Sequence, residues 1–279
     1  MAQAGVRIEQ MSVTQHLADT ARAFDSVAAD YDGVSGNNAL VQLMRAELWR
    51  EVIQRVPTGA RLLDLGCGTG IDTEYFAQRG YFVTATDASP EMVARTRQRI
   101  ARADLVEYVQ VEHIGAQELE RLESCSFDAI YSDLGPLNCV PDLSTVAKQC
   151  QAHLKQNGLL IFSVIGRYCP WEMLFFSLHG DFKQATRRFS REMVPVNLNN
   201  GIVWTRYYSP REFFQFFSNE FRLVTYRSLS LFMLPPYLLR WHERAGALTK
   251  PLRWLDSQLD ALPLFRDAGD HFLIVMQAR

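Results

Sequence analysis

Residues 62–87 read LLDLGCGTGIDTEYFAQRGYFVTATD: an apolar run carrying one acid, Asp64, glycines at 66, 68 and 70, and a second apolar run ending on Asp87. Both runs are short, apolar and bounded by turn residues, which predicts buried strands. Asp72 to Arg79 between them reads as a helix closed by Gly80. Glycine lets the connecting turn take positive φ and brings backbone close to a ligand. The dinucleotide fingerprint G-x-G-x-x-G would place its third glycine at 71, where the chain has Ile71. Asp64, two residues before Gly66, would also repel a pyrophosphate. A ligand carrying positive charge suits this loop better.

Outward from this unit the same alternation continues. Upstream, residues 39–56 (ALVQLMRAELWREVIQRV) have apolar positions at helical spacing and stop at Pro57-Thr58-Gly59. Downstream, Ser89 and Pro90 open a helix as cap and first helical residue. VEYVQVEHI (106–114), FDAIYSD (127–133) and LLIFSVI (159–165) supply further strands, with a helix over 143–155 ended by Asn157-Gly158. Strict alternation predicts an α/β fold, a parallel sheet with helices on both faces. Ligands of such sheets sit beyond the carboxyl ends of the strands, where the glycine loop, Asp87 and the segment after Asp133 all lie. After residue 165 the pattern turns aromatic-rich, and FRLVTYRSL (221–229) and HFLIVMQ (271–277) read as two late strands.

Composition limits the partners. The chain has 279 residues, with 29 basic against 31 acidic, so no global charge draws it to nucleic acid or anionic lipid. Five cysteines, at 67, 125, 139, 150 and 169, form no CxxC pair and fit a reducing compartment. No signal-peptide layout and no apolar run of about 18 residues is present. A cytoplasmic protein without stable membrane insertion is expected, acting on a small-molecule substrate; its oligomeric state stays open.

LDLGCGTG (63–70) followed by TDASPEMV (86–93) resembles motifs I and II of the class I S-adenosylmethionine-dependent methyltransferases. AFDSVAADYD (23–32) resembles the opening segment of the small-molecule branch of that superfamily. FDAIYSDLGPLNCVPDL (127–143) and LKQNGLLIFSVI (154–165) resemble its fourth and fifth strand motifs. The resemblance covers residues 22–165. It implies a Rossmann-like seven-stranded sheet in one domain over 1–279: a helical cap (1–56), a cofactor-binding core (57–165), a lid insert (166–218), and the last two strands (219–279) with a helical insert (230–269).

It also implies roles. Gly66, Cys67, Gly68 and Gly70 form the loop against S-adenosylmethionine; Asp87 accepts both ribose hydroxyls, as a carboxylate does for a diol, and Asp64 helps hold the methionine ammonium. Ala88 and Met92 line the adenine. Many relatives bind the adenine amino group with an acid after the third strand; here Gly115, Ala116 and Gln117 occupy that stretch, leaving backbone groups or Gln117 for the contact. Asp133 and Leu134 fall beside the cofactor. No metal is expected.

For the transfer itself, Tyr31, Asn138 and Tyr168 are the candidates. Tyr31 either closes over the cofactor or anchors its helix. Asn138 orients the methionine end or the acceptor, or merely makes a turn in Gly-Pro-Leu-Asn. Tyr168 would lend an aromatic face to the sulfonium. His179 and Glu172 are the available bases, each with a capping or surface role as the alternative, and Arg187 with Arg188 reads as a solvated helix face. Residues 229–265 interleave apolar, Trp, Arg and Pro residues, as a lid, a membrane-grazing segment or an insert packed on the last two strands would. The function expected is O- or N-methylation of a small, largely apolar metabolite. Cyclisation of S-adenosylmethionine to azetidine-2-carboxylate with release of methylthioadenosine, and a catalytically silent binding subunit, are the alternatives.

Overall fold

The computed structural model describes residues 13–33, 36–123, 126–199, 201–263 and 265–279. Residues 1–12 and 34–35 of the expected cap, and Cys125, lie outside them. The strands are β1 Arg61–Leu65, β2 Phe82–Asp87, β3 Val109–His113, β4 Phe127–Ser132, β5 Leu154–Ile165, β6 Val194–Leu198, β7 Gly201–Thr205, β8 Phe221–Leu229 and β9 His271–Ala278. The helices are α1 Val13–Val27, α2 Ala39–Arg55, α3 Ile71–Ala77, α4 Pro90–Arg102, α5 Leu143–His153, α6 Pro170–Leu178, α7 Phe182–Thr186, α8 Pro210–Gln215, α9 Leu239–Ala245 and α10 Thr249–Leu259. Seven strands form one sheet in the order β3-β2-β1-β4-β5-β9-β8. β1 to β5 pair in parallel, and β9 runs antiparallel between β5 and β8. Strand order reverses between β1 and β4, which places a crevice over their carboxyl ends.

Successive strand residues point to opposite faces, and both faces are covered. Leu63, Leu65, Ile130, Leu160 and Phe162 pack with Phe213 and Phe217 around α8 on one side. Leu62, Val83, Ile161, Leu273 and Val275 pack with Leu48, Val52 and Phe76 on the other. Each fully buried large apolar side chain contributes roughly 1.5–3 kcal/mol. Local signals set the helix starts: Ser89 Oγ accepts from Met92 N with Pro90 in the first turn, and Asn38 Oδ1 accepts from Leu40 N and Val41 N.

The 166–218 segment departs from the sequence reading in two respects. The 166–218 insert contains a β6–β7 hairpin, with Leu198 opposite Gly201, that packs on α1. Trp204 N and Nε1 donate to Thr20 Oγ1 and Asp19 Oδ2 at 3.1 and 3.2 Å, and its ring stacks on His16. Arg188 is not solvated: it is 6% exposed and donates to Glu172, Asp270 and the Gly166 and Asp270 carbonyls. Two buried carboxylates demand a cation between them, which outweighs the cost of burying Arg188; Arg187 also reaches Glu172 Oε1, at 3.0 Å.

The late insert lies against β8, as an insert packed on the last two strands does. Asp256 accepts from Leu231, Phe232 and Met233 N–H at 2.8–3.0 Å, and Arg227 pairs with Asp260 at 2.8 Å. Trp241 and Trp254 of this insert stay exposed. Among the described residues no helix is long and apolar enough to cross a membrane. Cys67, Cys139, Cys150 and Cys169 are unpaired thiols.

Candidate active site at the switch point

All three loop glycines adopt positive φ: Gly66 at 76°, Gly68 at 56° and Gly70 at 82°. Their surroundings separate them. A Cβ on Gly66 would meet Pro136 at 2.4 Å, and one on Gly70 would meet Thr96 at 2.8 Å. These two glycines admit the loop after β4 and the face of α4. Among the described residues, a Cβ on Gly68 would find only Tyr31 Cε1, at 3.9 Å, so this glycine faces open space among them. Cys67 turns away from that space, with its Sγ 3.6 Å from Thr96 Oγ1 and its thiol raised by burial.

Asp87 ends β2 beside Gly68. Its Oδ2 accepts from Gly68 N at 2.9 Å and its Oδ1 from Ser89 N at 2.8 Å. A carboxylate has about four lone-pair sites, so one remains on each oxygen for a diol. Burial raises the Asp87 carboxyl against the pull of those two N–H groups. Asp64 lies deeper, 1% exposed; its Oδ2 accepts from Thr73 Oγ1 and Tyr131 Oη at 2.7 and 2.9 Å. Among the described residues its Oδ1 has no hydrogen-bond partner. Burial and the Asp72 charge push this carboxyl well up.

Asp133 follows β4, and among the described residues neither of its buried oxygens has a hydrogen-bond partner. Burial and then Asp72 push it up to about 7, against Arg45. Arg45 is the residue the sequence reading passed over. It stands on the buried stripe of α2 with Val41, Leu48 and Val52, pairs with Asp72, and comes to 4.0 Å from Asp133. A charged residue on an apolar helical stripe was the available signal. Asp64, Asp72 and Asp133 are buried with Arg45 as the cation beside Asp72, and Asp87 is half-buried beside Gly68. This concentration of carboxyl groups fits a ligand bearing an ammonium and a sulfonium, because such a ligand supplies the cationic partner that buried carboxylates need.

Tyr31 is partly buried beside the glycine loop, next to Arg45 and Asp87, and burial raises its phenol. Asn138 is differently employed from its expected ligand role. It is fully buried; its Nδ2 donates to Ile165 O and Arg206 O at 3.0 and 2.7 Å, and its Oδ1 accepts from Ile165 N at 2.8 Å. Both amide hydrogens are used, so the side chain replaces the strand partner that β4 no longer supplies at Ile165. Tyr168 is 43% exposed with its ring against Phe189. His179 Nδ1 lies 2.7 Å from Phe175 O at the end of α6, the capping alternative, and Glu172 is engaged by Arg187 and Arg188.

A family model described as a methyltransferase domain matches residues 62–158, the span that builds this crevice. The match to a methyltransferase domain covers about a third of the chain. The ubiquinone biosynthesis O-methyltransferase of Xanthomonas axonopodis pv. citri is 37% identical over 114 residues, 40% of this chain and 45% of that relative. The matched stretch therefore spans less than half of that curated relative. The fold extends further. A putative methyltransferase structure from Listeria monocytogenes has a TM-score of 0.58 at 18% identity, covering 85% of this chain and 99% of that one. The 1,6-didemethyltoxoflavin-N1-methyltransferase of Burkholderia thailandensis, solved with 1,6-didemethyltoxoflavin and S-adenosylhomocysteine, has a TM-score of 0.59 at 17% identity, covering 100% and 97%.

The remaining expected residues belong to the segments that follow β2, β3 and β4. Met92 is buried on α4, and Ala88 is exposed with its carbonyl 3.0 Å from His113 Nε2. Gly115 N donates to Glu118 Oε2 at 3.1 Å and Gly115 O accepts from Glu118 N at 2.9 Å. Gly115 is therefore already engaged, leaving Ala116 and Gln117 of that stretch. Leu134, at φ 60°, donates its N–H to Ser163 Oγ at 3.1 Å. The methyltransferase reading also missed Asp25, whose Oδ1 receives Ser89 Oγ and Glu91 N, tying α1 to the start of α4.

Proposed function

We propose that the protein transfers the methyl group of S-adenosylmethionine to an oxygen or nitrogen of a small, largely apolar acceptor. The observation that carries this is the concentration of carboxyl groups around open backbone at Gly68, with Asp87 presenting a free lone pair on each oxygen. Asp87 takes the ribose diol, and Asp64 Oδ1 and Asp133 compensate the ammonium and the sulfonium. Ala88, Met92, Ala116 and Gln117 bound the adenine. Tyr31 covers Gly68 and excludes water. The acceptor enters on the side of β4 and β5, and the 37% identity over 114 residues to an O-methyltransferase supports a hydroxyl as the nucleophile.

The chain's residues contribute mainly position. Holding acceptor and donor in line at about 3 Å supplies roughly 7–11 kcal/mol. The sulfonium loses its charge as the methyl leaves, so a dry site with fixed carboxylates beside it controls where charge is allowed to disperse. No observation favours the cyclisation or silent-subunit alternatives. Incubation with S-adenosylmethionine, with and without acceptor, followed by mass spectrometry of the nucleoside tests the reading. S-adenosylhomocysteine formed with acceptor supports it; methylthioadenosine at multiple turnovers without acceptor would overturn it.

A further inference from the structure

β9 begins at the acceptor side of the crevice with His271, preceded by Asp270, and the sequence reading left both unassigned. His271 pairs in register with Ile165 of β5 and Leu229 of β8. Strand alternation puts its ring on the same face as Leu273 and Val275, the face covered by α2. That is the face of Arg45, and the register sets His271 opposite Ile165, three residues past Phe162, the partner of Ser132 at the end of β4. His271 and Asp133 both lie at the carboxyl end of the parallel strands, where the acceptor enters.

The imidazole is held at one end only. His271 Nδ1 is 3.0 Å from Asp270 Oδ2, while Asp270 Oδ1 receives Arg188 Nη2 at 2.7 Å. Burial alone would raise the Asp270 carboxyl, but Arg188 and His271 outweigh it and hold it well below the usual carboxylate range. Asp270 is thus an acceptor at neutral pH, so the hydrogen of a neutral imidazole sits on Nδ1 and the lone pair on Nε2. Nε2 has no hydrogen-bond partner among the described residues, and the residue keeps 8% exposure. Cys169, Glu172 and Asp270 also bring ligand atoms within 4.8 Å of one another, but Arg188 already binds both carboxylates, which leaves no metal site there.

We propose that His271 is the general base of methyl transfer, with Asp270 as its positioning residue and Arg188 locking Asp270; this rests on the methyltransferase reading above. The acceptor's O–H or N–H proton passes to Nε2 as the heteroatom's lone pair forms the bond to the methyl carbon. The S–CH3 bond breaks with its electron pair going to sulfur, which becomes the neutral thioether of S-adenosylhomocysteine. The imidazolium is stabilised by Asp270 and returns its proton to solvent. The charged groups around the dyad are Asp133 after β4, Arg45 on α2, Glu172 on α6 and Arg188, with Tyr207 and Tyr237 as the titratable phenols near Asp270. A general base of this kind contributes about 10²–10⁴-fold to the rate.

The first test needs no acceptor. Imidazole 15N NMR of the wild-type protein with bound S-adenosylhomocysteine should show His271 as the Nδ1–H tautomer above its titration; the Nε2–H tautomer would overturn the proposal. The second uses a panel of catechols and anilines with S-adenosylmethionine. For any acceptor methylated, His271→Asn and His271→Gln should lower kcat by about 10²–10⁴-fold while S-adenosylhomocysteine affinity by calorimetry changes less than about threefold. The acid limb of the wild-type pH profile should coincide with the NMR titration, survive in Asp133→Asn and vanish in His271→Asn. A limb that vanishes in Asp133→Asn and survives in His271→Asn would assign the base to Asp133 and overturn the proposal. Wild-type protein that binds no S-adenosylhomocysteine would instead refute the methyltransferase reading, a separate result.

Discussion

Asn138→Ala separates a structural clamp from a ligand contact. The amide makes three hydrogen bonds at 2.7–3.0 Å, to Ile165 N–H, Ile165 C=O and Arg206 C=O, at a site with no solvent exposure. A typical hydrogen bond contributes a net 0.5–1.5 kcal/mol, and a buried group left unpaired costs about 1–3 kcal/mol. Truncation leaves three backbone groups short of that partner, and some rearrange or admit water into the space vacated. The loss should be about 2–5 kcal/mol. In a chain of this size each kcal/mol moves Tm by about 2–4 °C, so Tm should fall by roughly 4–20 °C, with about 10 °C as the central value. Thermal and urea unfolding with S-adenosylhomocysteine calorimetry on the folded variant make the comparison. A Tm within 2 °C of wild type (about 1 kcal/mol or less) together with a donor affinity reduced tenfold would refute the clamp and restore Asn138 to the ligand.

Asp87→Ala should weaken S-adenosylhomocysteine binding by about 10–100-fold, since a charged acceptor to two hydroxyls is worth roughly 1.5–3 kcal/mol; equal affinity by calorimetry would remove Asp87 from the donor site. Gly70→Ala should destabilise by more than about 1 kcal/mol, because φ of 82° and Thr96 at 2.8 Å both oppose a Cβ, and adding Thr96→Ser should recover part of the loss in urea unfolding. Asp133 has a folded pKa of about 7, above its unfolded value, so between roughly pH 4 and 7 the native state binds more protons and the free protein loses stability as pH rises. Asp133→Asn should therefore gain Tm relative to wild type from pH 5 to pH 8, and a pH-independent difference would contradict this. α1 and the β6–β7 hairpin, tied through Trp204 to Asp19 and Thr20, should gain hydrogen-exchange protection together when S-adenosylhomocysteine binds; protection of one without the other would show that they do not move as a unit.

The amino-acid order alone determined the αβ alternation, the glycine turn and the strand-end acids, because strand and helix periodicity and positive φ are local demands that each segment meets with its own residues. Gly68, Asp64 and Asp87 were legible for that reason, and the β6–β7 hairpin was legible too in Asn199-Asn200-Gly201, a turn signal between two β-branched runs that the aromatic content obscured. Tertiary structure alone decided what depends on residues far apart in the chain. Gly66 and Gly70 have their neighbours in Pro136 and Thr96. Asn138 reads locally as a turn residue and becomes a ladder partner because β4 ends before β5 does. Arg188 reads as solvated and is buried because Glu172 and Asp270 converge on it from α6 and β9. His271 lies 184 residues beyond Asp87, and only the antiparallel insertion of β9 between β5 and β8 carries it to the crevice, since burial, pairing of charges and strand order are properties of the packed sheet and not of any segment.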